Sequence, residues 1–125
     1  MELLIDIVPL SYYQYLNQNR TTKYITAKGK EYKQKIEFEL MKAMEDKEMI
    51  FDDCKVSISF FFNNKRKNDL DNFTKPVLDF CSDIVFKDDR QIVNLHVKKF
   101  YDKERPRILI NVDTIDEEFH TINIF

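Results

Sequence analysis

The sequence has few residues that interrupt secondary structure and too few cysteines for a disulfide framework. Its 125 residues include one glycine, three prolines, two cysteines and no tryptophan. So little glycine and proline is not typical of a disordered or loop-rich protein. The two cysteines, Cys54 and Cys81, have no zinc-binding spacing around them and cannot form the disulfide network of a small secreted domain. We therefore expect reduced thiols in a cytoplasmic protein.

Long apolar runs and a strong excess of one charge are also missing. No stretch approaches the roughly 18 apolar residues of a membrane-spanning helix, and Met1–Asp6 lacks the basic start of a signal peptide. A net charge of −2 argues against a surface that is basic throughout. The 43% hydrophobic content, with 11 phenylalanines, is ample for a core. We expect one domain over residues 1–125, no membrane association, and an acidic tail from about residue 113.

Hydrophobic periodicity predicts alternating strands and helices. Two amphipathic helices are predicted, the first over residues 27–44 and the second within 69–84. Strands are predicted at 3–8, 55–62, 92–100 and 107–112, with a loop at 11–22 and a short extended piece at 23–26. The order strand-helix-strand-helix-strand-strand predicts an α+β fold with two main helices packed on one mixed β-sheet. Pro76 leaves two interpretations open, because the second helix either starts near it or starts at Asp69 and bends.

Residues 65–75 carry most of the recognisable chemistry. A predicted strand ending in basic residues leads directly into Asp69 and Asp71, and Lys75 follows. Acids in the first turn of a helix are ordinary caps, which would explain either aspartate alone. Two carboxylates this close repel each other, and a bound divalent cation would relieve the repulsion. Because Mg²⁺ prefers hard oxygen ligands, the spacing indicates a magnesium site.

A second acidic pair, Asp88 and Asp89, precedes the strand predicted at 92–100. Its ordinary interpretation is a turn. If the second helix runs antiparallel to its flanking strands, the N-terminus of that helix and Asp89 need not lie at the same end. Spacing alone therefore does not bring Asp89 to the predicted metal site.

A longer ordered pattern includes both acidic pairs. It consists of Asp69-Leu70-Asp71-Asn72, Lys75, Asp79, Asp88-Asp89-x-Gln91-Ile92-Val93 and Lys98-Lys99. This pattern resembles that of the RusA family of Holliday-junction resolvases. The resemblance is densest from Lys65 to Lys99 and extends more loosely over most of the chain. It implies a RusA-like fold and a homodimer that cuts branched DNA, symmetrically at four-way junctions, with Mg²⁺ or Mn²⁺. It also implies an origin in a phage or prophage, and no organic cofactor is expected.

The resemblance also implies roles for individual residues. Asp69, Asp71 and Asp89 correspond to catalytic, metal-binding carboxylates, Lys75 corresponds to the catalytic-site lysine, and Asp88 has a secondary place among the metal ligands. Residues expected to contact DNA are Lys65, Arg66, Lys67, Asn72, Lys98 and Lys99.

Two departures from the family pattern limit what is carried over. The family commonly has a proline-rich, asparagine-containing loop after its first strand, whereas this chain has Val8-Pro9-Leu10-Ser11-Tyr12-Tyr13-Gln14-Tyr15. The tyrosines of this loop either stack on splayed bases or pack the domain or dimer. Asn68 stands at a position that is basic in some relatives. The alternative function is a catalytically silent DNA-binding or phage-assembly protein, against which the presence of all three aspartates and Lys75 argues.

Overall fold

A computed structural model of the chain describes residues 1–11, 16–18 and 23–115. Six strands and two α-helices follow one another along this part of the chain. They are β1 (Glu2–Ile5), β2 (Leu16–Gln18), β3 (Lys23–Ile25), α1 (Ala27–Ala43), β4 (Cys54–Phe62), α2 (Leu70–Cys81), β5 (Ile92–Tyr101) and β6 (Arg107–Thr114), with a 3-10 turn at Asp89–Gln91 before β5.

The main sheet has four strands in the order β1-β6-β4-β5. Strands β4 and β5 are parallel, whereas β6 pairs antiparallel with both β4 and β1. Ile58 of β4 lies opposite Val97 of β5 and Ile110 of β6. Strands β2 and β3 form a separate antiparallel pair. The structure thus confirms the α+β fold with two helices and a mixed sheet.

The core lies between one face of this sheet and the two helices. Every second residue of β4 is buried, because successive side chains of a strand point to opposite faces. The ring centroid of Phe73 in α2 lies 4.8 Å from the ring centroid of Phe62 and 6.1 Å from that of Phe60. Tyr32 of α1 contacts Phe80 of α2 with ring centroids 6.0 Å apart. Aromatic side chains therefore join α2 to β4 and α1 to α2.

Helix α1 begins and ends where its sequence predicts. Thr26 is the N-cap, and its Oγ1 accepts a hydrogen bond from the backbone N–H of Gly29 at 2.9 Å. Tyr32, Ile36 and Leu40 are buried at intervals of four, which places them on one face of the helix.

Neither helix of the described chain is long and apolar enough to cross a membrane.

Helix α2 crosses from the end of β4 to the start of β5, so it runs antiparallel to both. Near its N-terminus, Lys99 Nζ donates to the carbonyl oxygen of Asn68 at 3.2 Å. Beyond its C-terminus, Gln91 Nε2 donates to the carbonyl oxygens of Ile50 and Asp52, each at 2.9 Å. We call the edge where β4 and β5 finish the carboxyl end of the sheet, and the opposite edge the amino end.

Several boundaries differ from the sequence predictions by one or two residues, and three differences are larger. Leu16–Gln18 is a strand within the segment predicted as a loop, since it pairs with β3. Strand β1 stops at Ile5, opposite Ile108, where its pairing with β6 ends. Helix α2 stops at Cys81 because Asp83 has a φ of 69°, a left-handed conformation that no helix continues through.

The sequence left open whether the second helix starts near Pro76 or at Asp69, and the structure shows where it starts. Helix α2 begins at Leu70 with Asp69 as its N-cap, so Pro76 lies inside it. Tyr12, Tyr13 and Tyr15, and the acidic tail beyond residue 115, lie outside the described residues.

Candidate metal and DNA site

The loop of residues 63–69 joins β4 to α2 at the carboxyl end of the sheet. Its shape is set by its own polar groups. Asn64 Oδ1 accepts from the backbone N–H of Arg66 at 3.0 Å, and Asn68 Nδ2 donates to the carbonyl oxygen of Arg66 at 3.2 Å. These contacts leave the side chains of Lys65, Arg66 and Lys67 exposed. An ordered loop therefore presents three cations directly before the acidic pair.

The acidic pair begins helix α2. Asp69 is the N-cap, with Oδ1 accepting from the backbone N–H of Asp71 at 3.3 Å, and its carbonyl oxygen accepts from the N–H of Asn72 at 3.1 Å. Both carboxylates are exposed at the positive end of the helix dipole. Asp69 is therefore a helix cap, which is one of the two roles that the sequence indicates for it. The cap leaves the remaining oxygens of the pair directed to solvent.

Lys75 and Asp79 continue the same face of α2. They follow Asp71 at intervals of four residues, and Lys75 Nζ lies 3.9 Å from Asp79 Oδ2. Burial raises the pKa of Asp79, the nearby charge of Lys75 lowers it, and the charge of Asp89 raises it further. The last of these effects means that Asp89 lies within electrostatic range of Asp79, past the middle of the helix.

Asp88 and Asp89, the second acidic pair, have different surroundings. Asp88 caps the 3-10 turn, accepting from the backbone N–H of Arg90 at 2.9 Å and pairing with the Arg90 guanidinium at 3.1 Å. The backbone N–H of Asp88 in turn donates to Gln91 Oε1 at 2.8 Å. Hydrogen bonds from Arg90 are the main reason that the pKa of Asp88 falls to about 2. Asp88 is thus engaged in holding the turn, whereas Asp89 is exposed.

The three predicted catalytic aspartates do not meet within one chain. Asp71 and Asp79 are eight residues apart on one helix, which is roughly 12 Å at 1.5 Å per residue. Asp89 follows α2 and directly precedes β5, at the opposite end of the helix from Asp69 and Asp71. Among the described residues, no three His, Cys, Asp or Glu side chains are arranged to hold a metal. The structure brings Asp69 and Asp71 together and leaves Asp89 toward the amino end.

The Asp69–Asp71 pair nevertheless fits a magnesium ion bound with its substrate. Mg²⁺ commonly takes one or two carboxylates and completes its six ligands with water and phosphate oxygens. A pair of exposed carboxylates on an ordered helix start, beside cations that attract phosphate, has that donor set. These two residues would therefore hold the ion.

The predicted DNA contacts lie mostly around the same end. Lys65 Nζ lies 5.0 Å from the centre of the Tyr101 ring, and Lys99 reaches the loop at Asn68. Lys98 lies opposite Ser59 on the other face of the sheet. Asn72 is half-buried in the first turn of α2.

Two features of this end were not predicted from the sequence. A groove of about 930 Å³ lies between α1 and the loop, lined among others by Tyr32, Lys35 and Arg66. On the face away from the helices, the Phe61 and Phe100 rings stack with centroids 4.9 Å apart. The groove depends on how α1 packs beside the loop, and the stack depends on cross-strand register. The sequence gives no direct signal of either.

Paired carboxylates at a helix N-terminus beside phosphate-binding cations are typical of metal-dependent enzymes that cut phosphodiesters. The model of the family described as "Endodeoxyribonuclease RusA" matches residues 8–113, and the chain belongs to that family. The chain is also similar to "Uncharacterized protein YqaN" of Bacillus subtilis (strain 168), with 44% identity over 46 residues. This match covers 37% of the chain and 32% of YqaN, so the chain spans about a third of that relative.

Proposed function

We propose that the protein is a divalent-metal-dependent endodeoxyribonuclease that resolves four-way DNA junctions by paired, symmetric phosphodiester cleavage. The observation that carries this proposal is the Asp69–Asp71 pair on the first turn of α2, next to a basic loop, in a chain of the RusA family. From the resemblance alone we further infer a role in DNA recombination and repair in a phage or prophage.

The side chains have distinct parts in the proposed reaction. Asp69 and Asp71 would hold Mg²⁺, or Mn²⁺ in its place, and a bound ion would lower the pKa of water and polarise the scissile phosphate. Lys75, one turn along the same face, orients the phosphate and stabilises the charge that develops on its oxygens. Lys65, Arg66 and Lys67 neutralise neighbouring backbone phosphates, a contribution that does not depend on base sequence.

A homodimer fits both the substrate and the free edge of the sheet. A four-way junction has two equivalent strands to cut, which matches a twofold dimer with one site in each subunit. Strand β5 is the last strand of the described sheet, has ten residues without proline or glycine, and leaves Val93 and Leu95 about half exposed. Such an edge is a ready surface for pairing with another strand.

Pairing of this edge across a twofold axis also accounts for the position of Asp89. Two β5 strands related in this way run antiparallel, so the start of one lies opposite the end of the other. Asp89 of the partner subunit, just before its β5, then comes to the carboxyl end where Asp69 and Asp71 lie. We propose that each site takes Asp69 and Asp71 from one subunit and Asp89 from the other.

Cleavage of a labelled mobile four-way junction tests the proposed activity. The protein is incubated with the junction and with plain duplex, each with Mg²⁺, Mn²⁺ or EDTA. We expect paired cuts in the junction with either metal, none with EDTA, and little cleavage of the duplex. Asp71→Asn should abolish cutting and keep junction binding, whereas Asp46→Asn, an exposed aspartate after α1, should cut normally. Full activity of Asp71→Asn would end the metal-ligand assignment.

The same assay distinguishes the alternative, a catalytically silent DNA-binding or phage-assembly protein. In that case the wild-type protein binds the junction and cuts it with neither metal. The loss of activity on EDTA treatment and its recovery on adding Mn²⁺ would contradict that alternative.

A further inference from the structure

An aromatic and cationic cluster lies on the face of the sheet opposite the helices. Phe61 of β4 and Phe100 of β5 are register partners, and their rings are nearly parallel at 16° with centroids 4.9 Å apart. The guanidinium carbon of Arg107 lies 3.7 Å from the centre of the Phe61 ring. We call these three residues the aromatic platform. A stacked pair covered by a cation is a rigid, flat and partly apolar surface.

Arg107 is held in its place by hydrogen bonds from its own turn. Its Nη1 donates to Asp102 Oδ2 and to the carbonyl oxygen of Arg105, both at 2.8 Å. The orientation of the guanidinium over Phe61 is therefore set before any ligand arrives. The platform needs little ordering to bind a flat group, which favours binding.

The free surface of the platform is the ring of Phe100. Its side of the sheet faces away from both helices, since Phe73 of α2 packs on the buried face of β4 and the buried residues of α1 belong to the same core, and Phe100 is 46% exposed. Its neighbours on this face of β4 are polar, with Ser59 half-buried beside Lys98. Cross-strand pairing accounts for the contact of Phe61 with Phe100. This pairing covers only part of the Phe100 ring and leaves the rest exposed to solvent.

The platform lies at the carboxyl end of the sheet, as the candidate metal site does. Lys99, next to Phe100, reaches the carbonyl oxygen of Asn68 at 3.2 Å, one residue from Asp69. Lys98 and Arg107 add positive charge on the face of Phe100 in a chain whose net charge is −2. Flat aromatic surface surrounded by cations is how proteins bind unpaired nucleotides, with bases on the rings and phosphates on the cations.

We propose that the aromatic platform stacks on an unpaired base of the substrate DNA at or beside its branch point. This inference rests on the proposed nuclease function and adds a source of structure selectivity to it. Bases inside a duplex have both faces covered by neighbouring bases, whereas a branch point exposes a face. Because every base has a π-face, stacking selects the branched structure without selecting a sequence.

Affinity for a four-way junction and for plain duplex, measured with EDTA to prevent cleavage, tests the proposal. Phe100→Leu keeps an apolar side chain but removes the ring, so junction affinity should fall about fivefold or more while duplex affinity stays unchanged. Phe100→Tyr, which keeps a ring, should preserve the selectivity. Phe51→Leu is the matched control, because Phe51 is 71% exposed and precedes β4 at the amino end. Equal loss of affinity for junction and duplex in Phe100→Leu overturns the proposal, as does no loss.

Photocrosslinking gives a second measurement that does not depend on a variant folding. A junction carrying 5-iododeoxyuridine at the branch is irradiated with the wild-type protein, and the adduct is mapped by mass spectrometry. An adduct on Phe100 supports the platform, and an adduct only elsewhere overturns it. Absence of metal-dependent cleavage by the wild-type protein would instead overturn the proposed nuclease function, so the two failures are distinguishable.

Discussion

The carboxylate of Asp69 accepts a hydrogen bond from the backbone N–H of Asp71 at 3.3 Å, so one proposed metal ligand caps the helix that carries the other. This contact holds the two carboxylates on one helical turn before any ion binds. It also gives Asp69 two proposed roles, because the same side chain begins the helix and is one of the proposed metal ligands. The two roles require different things of the residue, since a cap needs an oxygen acceptor and an Mg²⁺ ligand needs charge.

Substitutions at Asp69 should separate these roles. Asparagine is as good an N-cap as aspartate, so Asp69→Asn should unfold in urea with nearly the wild-type free energy. Asp69→Ala loses the cap and should be less stable by about 1 kcal/mol. Both should fail to cleave junctions with Mg²⁺, because both lose the charged ligand. Urea unfolding in EDTA and a cleavage assay on the same preparations provide the measurements.

A wild-type cleavage rate in Asp69→Asn would contradict the metal role, and equal stability of all three proteins would contradict the cap. Asp46→Asn controls for the loss of one negative charge at an exposed position.

The predictable part of this structure depends on local periodicity. Alternating burial in β4 and the buried residues spaced by four in α1 are both evident in the sequence, because each pattern repeats within one element. Strand β2 lacks such a pattern, because three polar-rich residues at Leu16–Gln18 give too short a signal. Long-range relations were the least predictable, since the stack of Phe61 on Phe100 depends on the register between strands.

The candidate site also has one part that sequence spacing predicts and one part that it does not. Asp69 and Asp71 come together because they are two residues apart at a helix start, which their sequence spacing predicts. The position of Asp89 relative to Asp69 and Asp71 depends on the direction in which α2 runs between two parallel strands. Sequence spacing does not predict that position. The hydrogen bonds of the 3-10 turn, which engage Asp88 and not Asp89, are also not evident from sequence spacing.

Mixing two inactive variants should restore activity if each site is shared between subunits. Asp71→Asn and Asp89→Asn are each expected to be inactive. In a mixed dimer, one site combines both defects and the other has a full set of aspartates. Random exchange of equal amounts makes about half of the dimers mixed, so about a quarter of all sites are intact. Those dimers should nick one strand of the junction without a paired cut.

The measurement is strand-specific cleavage after the two variants are unfolded, mixed and refolded together. Each variant refolded alone is the control, and wild-type protein mixed with Asp71→Asn gives the upper limit. No recovery in the mixture, with both variants still binding junctions, would show that Asp89 does not act across the dimer. Sedimentation that gives only monomer at micromolar concentration, with and without DNA, would contradict the dimer itself.

Asp102 should make folding stability depend on pH in the acid range. The hydrogen bond from Arg107 is the main cause that lowers the pKa of Asp102, and the backbone N–H of Arg105 contributes. A lowered pKa in the folded state gives stability that is present above the unfolded value of about 3.9 and is lost as the pH falls through the folded value. Asp102→Asn should therefore melt below wild type at pH 7, and the difference should shrink below pH 4. Glu48→Gln, at an exposed position after α1, is the matched control. If the difference in melting temperature between Asp102→Asn and wild type persists unchanged at pH 2 to 3, the ion pair is not its cause.

Asp79 should have the opposite effect, because burial raises its pKa and the nearby Asp89 adds to the rise, while Lys75 only partly offsets both. A carboxyl whose folded pKa is raised favours the folded state when protonated, so that stability is present below the unfolded pKa and is lost as the pH rises through the folded value. Asp79→Asn removes the charge and should raise the melting temperature in EDTA at pH 7, with the gain disappearing toward pH 3. The ion pair with Lys75 does not reverse this expectation, because the two groups are 3.9 Å apart and Asp79 is only partly buried, so that solvent screens the pair. Asp46→Asn, which also removes an exposed negative charge, is the control. A lower melting temperature for Asp79→Asn at pH 7 would mean that the ion pair outweighs the burial of the carboxylate.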